Sequence, residues 1–221
     1  RPGGFVVTLF IIAVYMALVL MVGALSHRMF RGTGEDYFLA TRSIGPFVLL
    51  MSLFGTQMTA FALLGASGES YRTGIGVFGL MASSSAIVVP AVFFFIGTRA
   101  WSVGKRQGYT TQVQLIRDRW GSDLLGLLLF VALVTLLIPY LLIGVMGAGI
   151  TLTDISDGLV PIWVGGLVIS LVVMVYVTYG GLRGTAWANT FQTLVFMALG
   201  AVTFIYVANA MGGLGAALER L

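Results

Sequence analysis

Six long apolar stretches divide this sequence, and they constrain its fold more than any other feature. A helix rises about 1.5 Å per residue, so about 20 apolar residues cross the roughly 30 Å hydrocarbon core of a bilayer. With 58% hydrophobic and only 9% charged residues, a water-soluble domain could not cover its surface. We therefore predict an all-α, polytopic bundle of six transmembrane helices, forming a single domain over residues 1–221. The predicted membrane helices cover residues 5–26, 45–68, 75–98, 124–152, 159–178 and 187–209.

The basic residues are distributed unevenly between the connections of this predicted bundle. Nine of the 12 Lys and Arg residues lie in the first, third and fifth connections. Because cytoplasmic loops carry an excess of basic residues, both termini are predicted outside and the basic connection over residues 99–121 inside. We predict a multi-pass protein of the cell (inner) membrane whose partner is the lipid bilayer. The excess of Lys and Arg over Asp and Glu is explained by membrane topology, so no nucleic-acid partner is predicted.

Several chemistries are excluded by residue content. The sequence contains no Cys and a single His, which excludes a disulfide framework and a multi-His metal cluster. No predicted span holds paired carboxylates or a nucleophile beside a base, so we do not expect an enzyme.

The second apolar stretch carries polar residues at membrane depth. Gly55, Thr56, Gln57 and Thr59 interrupt it, and each unpaired polar group in lipid costs several kcal/mol. One solution is a helix that unwinds around Gly55, so that freed carbonyls coordinate a cation while the half-helix end faces a solute. The alternative is ordinary packing through small residues, with Gln57 hydrogen-bonded to a neighbouring helix.

Two further polar positions lie at membrane depth in later stretches. Ser84 lies in a run of three serines, which commonly bond to carbonyls of their own helix instead of to a ligand. Tyr140 follows Pro139, which removes a backbone hydrogen bond and kinks a helix. The phenol beside the freed carbonyl is a candidate solute contact, and a kink that only aids packing is the alternative.

Four motifs are spread over nearly the whole chain. Residues 52–59 read Ser-Leu-Phe-Gly-Thr-Gln-Met-Thr, and Tyr-Arg-Thr-Gly follows at residues 71–74. The basic connection ends in Thr-Thr-Gln-Val-Gln-Leu-Ile-Arg-Asp-Arg-Trp-Gly, residues 110–121. The most specific motif is Tyr-Gly-Gly-Leu-Arg-Gly-Thr-Ala-Trp-Ala-Asn-Thr-Phe-Gln, residues 179–192. Together they resemble the sodium/solute symporter family, which includes sodium-coupled sugar, proline and pantothenate carriers.

The resemblance implies a fold of two inverted five-helix repeats, preceded by one extra N-terminal helix and followed by more helices. On this sequence, the second to sixth stretches match the first repeat. The second inverted repeat is absent, so we expect the N-terminal half of a carrier whose partner repeat comes from the remainder of a full-length chain.

The resemblance also implies an ion site. Backbone carbonyls that hold sodium in the family match Gly55 and Met58. Many members carry an Asp on the inner sodium pathway, and the matching residue here is Asn189. A neutral amide can coordinate a cation through its oxygen but lacks the Coulomb attraction of a carboxylate. Sodium is therefore the expected coupling ion, with proton-coupled and uncoupled transport as alternatives.

The resemblance implies substrate-binding roles for four residues: Gln57, Thr59 and Ser84 match positions that line the cavity in the family, and Tyr140 matches a tyrosine associated with substrate in its proline carriers. The two polar contacts of the sugar carriers instead match Ala62 and Met81, neither of which can bond a hydroxyl.

We therefore predict a symporter that moves a small organic solute, an amino acid or a carboxylate, with sodium. A transporter-like membrane sensor feeding a downstream signalling module, and an assembly subunit that needs a partner, are the alternatives.

Overall fold

The computed structural model describes residues 2–27, 32–59, 61–74, 76–210, 212–213 and 215. All regular structure within these ranges is helical. Between the α-helices lie the 3-10 turn Ala40–Arg42 and three π-helical turns, Phe61–Gly65, Ser84–Val88 and Phe93–Gly97. The helices are α1 (Pro2–His27), α2 (Gly34–Leu39), α3 (Pro46–Gln57), α4 (Ala66–Thr73), α5 (Gly76–Ser83), α6 (Val89–Val92), α7 (Thr98–Gln107), α8 (Gln112–Trp120), α9 (Asp123–Ile155) and α10 (Ile162–Ala210).

Four helical stretches in the described part are long and apolar enough to cross a membrane. A fifth is added if Gly34–Arg42 and Pro46–Gln57, which are bent by 107° relative to each other, together count as one span. The sequence predicted six separate helices, and the last two predicted spans both fall within Ile162–Ala210, a helical stretch that is interrupted by non-helical backbone at Gly181. The four stretches are Val6–Ser26, Gly79–Gln107, Asp123–Ile155 and Ile162–Ala210.

Two helical segments end farther along the chain than the sequence predicted. Residues 69–73, which the sequence placed in a loop, belong to α4, and the Thr73 hydroxyl donates to Glu69 O at 2.8 Å. The third predicted span ended at residue 98, whereas the helical run continues through α7 to Gln107. In both cases the helix ends at a glycine with positive φ, Gly74 at 99° and Gly108 at 72°. In each case the helix ends at the glycine and not at the first polar residues of the predicted connection.

The chain consists of two compact units. The first comprises Arg1–Ile11 and Met58–Met174. Within it, the end of α9 and the start of α10 approach so closely that a Cβ on Gly165 would lie 3.0 Å from Gly149 Cα. The turn between them is held by Thr153, whose hydroxyl donates to Val160 O at 2.8 Å.

The second unit comprises Ile12–Gln57 and Val175–Leu221. It contains most of the buried side chains of the described part, including Val19, Ala188 and Thr193. Here α1 packs on α10: a Cβ on Gly23 would lie 2.5 Å from Tyr176 Cβ.

Gly181 interrupts α10 with a conformation that L-residues avoid, φ 55° and ψ −149°. The break is covered by α2. The Tyr37 hydroxyl donates to Val177 O at 3.3 Å, and Val177 O is the carbonyl that residue 181 would bond in an unbroken helix. A Cβ on Gly181 would lie 2.7 Å from Tyr37 O. Backbone conformation and space therefore both require glycine at this position.

We expect Gly181→Ala to lower the free energy of unfolding by roughly 1–3 kcal/mol, because it adds backbone strain and overlaps α2. Gly200→Ala is the matched control, since it lies in the same helix and a Cβ there meets nothing within 4 Å. Thermal unfolding of both variants in detergent micelles measures the difference. Equal melting temperatures for the two variants would contradict the role of Gly181.

Candidate functional site

The break in the second predicted span lies three residues after the position expected from the sequence. Gly55 is within α3, which ends at Gln57, and Met58 and Thr59 are not helical. The prediction that the helix unwinds around Gly55 is therefore wrong in its position. An α-helix leaves its last four carbonyls without intrahelical partners, and in α3 these include the carbonyl of Gly55. The negative end of the helix dipole also lies here and favours a cation.

Thr59 starts the helical segment that follows the break. Its hydroxyl oxygen accepts a hydrogen bond from Ala62 N at 3.3 Å, and its carbonyl accepts one from Leu63 N at 3.1 Å. The side chain thus serves as a helix cap, a role that the sequence analysis did not assign to it. A hydroxyl that accepts one hydrogen bond still carries a proton that it can donate.

Gly55 lies against α10, and its lack of a side chain permits the contact. A Cβ on Gly55 would overlap the Thr193 hydroxyl and lie 3.2 Å from Asn189 O. The buried Thr193 hydroxyl donates to Met51 O at 3.0 Å, the carbonyl one turn before Gly55. Thr190, one turn earlier on α10, approaches Val48 O at 3.4 Å.

Asn189 contacts α3 beside Gly55. Its Nδ2 donates to Thr56 Oγ1 at 3.2 Å, and the Thr56 hydroxyl donates to Ser52 O at 2.8 Å. The amide nitrogen is therefore directed at Thr56, while the amide oxygen keeps its capacity to accept or to coordinate. We call these contacts between α3 and α10 the α3–α10 seam; the residues that make them are Val48, Met51, Gly55 and Thr56 on α3 and Asn189, Thr190 and Thr193 on α10.

A buried ion pair lies at the other end of α3. Arg183 Nη2 lies 2.8 Å from Asp36 Oδ1, and the Asp36 side chain is fully buried. The same nitrogen lies 3.1 Å from Ala40 O and 3.2 Å from Ser43 Oγ. Arg183 thereby holds the turn that joins α2 to α3, in which Ala40 and the two residues after it have positive φ.

This pair was not predicted from the sequence. Arg183 counted only as a basic residue of the fifth connection, and Asp36 had no predicted role. One indication was present, because Arg183 lies within the most specific motif, two residues after Gly181.

Comparison with known proteins decides the family. The sodium:solute symporter family model matches residues 37–221. This chain belongs to the sodium:solute symporter family. Members of this family are transporters and not enzymes, and together with the apolar helices the assignment identifies an integral, multi-pass membrane protein.

The relatives are similar over most of this chain but are much longer. The sodium/pantothenate symporter of Escherichia coli is 29% identical over 213 residues, which cover 94% of this chain and 43% of the relative. The sodium/glucose cotransporter of Vibrio parahaemolyticus is 27% identical, covering 94% and 37%. Sodium/glucose cotransporter 2 of the rat is 27% identical, covering 95% and 31%. The chain thus spans less than half the length of these relatives. No solved structure gives a significant match.

Of the site residues predicted from the sequence of this symporter-family chain, the structure brings Gly55 and Asn189 together. Gln57 ends α3 with an exposed side chain that makes no hydrogen bond to the part of the chain that the structure describes. Tyr140 is 52% exposed on the continuous helix α9. The Ser84 side chain lies outside the described residues. Met58, Thr59, Ser84 and Tyr140 belong to the other unit, so their roles stay predictions.

Proposed function

We propose that this chain forms part of a secondary active transporter that moves a small organic solute across the cell (inner) membrane together with sodium. The proposed architecture is the extra N-terminal helix followed by the first five-helix repeat of a five-plus-five inverted-repeat transporter. The break at Gly181 supports this division, since it separates α10 into two segments. The second repeat is proposed to come from the remainder of a longer chain.

The proposal rests mainly on one observation: α3 ends inside the second predicted span, and Asn189 lies against its last turn. Broken helices of transporters coordinate a co-transported cation through the carbonyls at half-helix C-terminal ends. The carbonyl of Gly55 is one of these, and an amide side chain that can offer an oxygen lies against the same turn. Sodium is the proposed co-transported ion, with Gly55 and Met58 carbonyls as ligands and Asn189 on its pathway.

The proposed solute is an amino acid or a carboxylate. One relative is named for pantothenate and others for glucose. Ala62 and Met81 stand at the positions that match the sugar carriers' polar contacts, where a methyl group offers no hydrogen bond and a thioether offers only a weak acceptor. Nothing in the comparisons supports the sensor alternative. The proposed solute contacts are Gln57, Thr59, Ser84 and Tyr140.

Asn189→Asp tests the ion pathway with sodium itself as the probe. A carboxylate adds a full negative charge near the end of α3, so the half-saturating sodium concentration should fall, by about tenfold if roughly 1.4 kcal/mol of attraction survives desolvation. Binding of radioactive sodium to the purified complete protein, with its proposed second repeat, is titrated in detergent in parallel for the wild type and the variant and measures this shift.

Asn209→Asp is the matched control, because it makes the same charge change on the same helix, 20 residues farther along. An equal sodium affinity for the two variants would remove Asn189 from the pathway. A wild-type protein that binds no sodium would overturn sodium coupling.

A further inference from the structure

A groove, here called the α7–α8 groove, separates α7 from α8 in the basic connection over residues 99–121. No part of the proposed transport mechanism uses this groove. It has a volume of about 400 Å³, which is within the range of small-molecule sites. Its apolar lining comes from Phe95, Ile96 and Ala100 on one side and from Leu115, Ile116 and Trp120 on the other. The side chains of Phe95, Ile96 and Trp120 are each 63% exposed, so the groove is open and large apolar groups line it.

Two arginines, Arg99 and Arg119, complete the lining of the α7–α8 groove. Within the described part of the chain, neither has an acidic partner within 4.0 Å. Residues 98–121 carry five Lys and Arg against one carboxylate, Asp118. That carboxylate is already engaged: Arg117 lies 3.4 Å from it, and its hydrogen bond with the Tyr109 hydroxyl raises the pKa of that phenol. The groove therefore presents uncompensated positive charge beside an apolar surface.

The aromatic residues near the groove are of the type that occupies the membrane–water interface. Trp101 is 56% exposed on α7, and Lys105 Nζ lies 5.1 Å from the centre of its ring. Trp120 ends α8. Exposed tryptophans next to basic residues are characteristic of the headgroup level, where an apolar ring and a charged group both find favourable surroundings.

The α8 side of the groove is held rigidly. Thr111 and Gln114 form a capping box at its start, and Gly121 ends it in a left-handed conformation with φ 59°. Against α9, a Cβ on Gly126 would lie 3.1 Å from Arg117 Cβ. A preformed groove loses little conformational entropy when a ligand enters.

We propose that the α7–α8 groove binds one anionic phospholipid, with its phosphate at Arg99 and Arg119 and an acyl chain along the apolar lining. Arginine pairs with phosphate through charge-assisted hydrogen bonds. The positive charge of this connection is also the type that anionic lipids of the cytoplasmic leaflet attract. A zwitterionic lipid offers the same chain but no net charge, and a free phosphate ion offers the charge but no chain.

Native mass spectrometry of the purified protein tests the site, with phosphatidylglycerol and phosphatidylcholine as probes. We expect one phosphatidylglycerol to bind more tightly than phosphatidylcholine. With each arginine contributing about a fivefold effect, the Arg99→Gln, Arg119→Gln double variant should weaken phosphatidylglycerol binding roughly 25-fold. Arg106→Gln is the matched control, because it removes a charge from α7 at a residue outside the groove, and it should weaken binding much less than the double variant does.

Ala100→Phe tests the acyl chain separately, because it fills the groove and keeps both arginines. Phosphatidylglycerol binding should weaken in this variant, and an excess of inorganic phosphate should not displace the lipid from the wild type. Displacement by phosphate would show an anion site without a lipid and overturn the proposal. Equal lipid binding by the arginine double variant and Arg106→Gln, or by Ala100→Phe and the wild type, would also overturn it. Size-exclusion profiles confirm that each variant is folded before binding is measured.

Discussion

Replacing Arg183 with Ala will lower the free energy of unfolding by about 3–5 kcal/mol, because it removes the arginine that is paired with the buried Asp36 carboxylate. The Asp36 side chain is fully buried and lies 2.8 Å from Arg183 Nη2. The substitution also removes the donor that Ala40 O and Ser43 Oγ share. Thermal and denaturant unfolding in detergent micelles measure the loss.

The double variant Asp36→Ala, Arg183→Ala distinguishes the cost of leaving a buried charge without its arginine from the cost of the packing that is lost. It should lose less stability than Arg183→Ala alone, since no charge is then left buried. Arg72→Ala, which removes an exposed arginine at the end of α4, should change the free energy of unfolding by less than about 0.5 kcal/mol. If Arg183→Ala were no more destabilising than Arg72→Ala, the turn between α2 and α3 would not depend on this pair.

In the complete protein, replacing Gly55 with Leu will weaken apparent sodium affinity at least about tenfold, a loss of roughly 1.4 kcal/mol, in a sodium titration of solute uptake or binding. The physical reason is packing. Even a Cβ would overlap the Thr193 hydroxyl, so a leucine must push α3 away from α10 and move the carbonyls at the end of α3. Met58→Leu is the control: Met58 is proposed to act through its backbone, and a side chain of similar volume should change sodium affinity little.

A second substitution tests whether the effect of Gly55 passes through the α3–α10 seam. Thr193→Ala removes the hydroxyl that a Cβ at residue 55 would overlap. Sodium binding by Gly55→Ala should therefore be weaker than in the wild type and partly restored in the Gly55→Ala, Thr193→Ala double variant. A Gly55→Leu protein of equal abundance with unchanged sodium affinity would reduce Gly55 to a residue of helix packing alone.

Local sequence predicted several features because they depend only on nearby residues. Apolar stretches of membrane length predicted an all-helical membrane protein, and the described part of the chain is helical with four or five candidate spans. The motif over residues 179–192 predicted the symporter family, and the family match confirms it. The break in the second predicted span was also anticipated, although three residues too early. The predicted position of the break was wrong because the small residues suggested that the helix unwinds at Gly55, whereas α3 continues to Gln57.

Tertiary structure alone decided which residues meet across the chain. Asp36 and Arg183 are 147 residues apart, and their pairing depends on how α2 packs over the break at Gly181. The role of Gly55 depends in the same way on the approach of Thr193. Composition and periodicity determine which segments enter the membrane, because transfer from water to lipid is roughly additive along a helix. Close contacts and buried ion pairs depend on the shapes and charges of both partners at once, so they follow only from the packed structure.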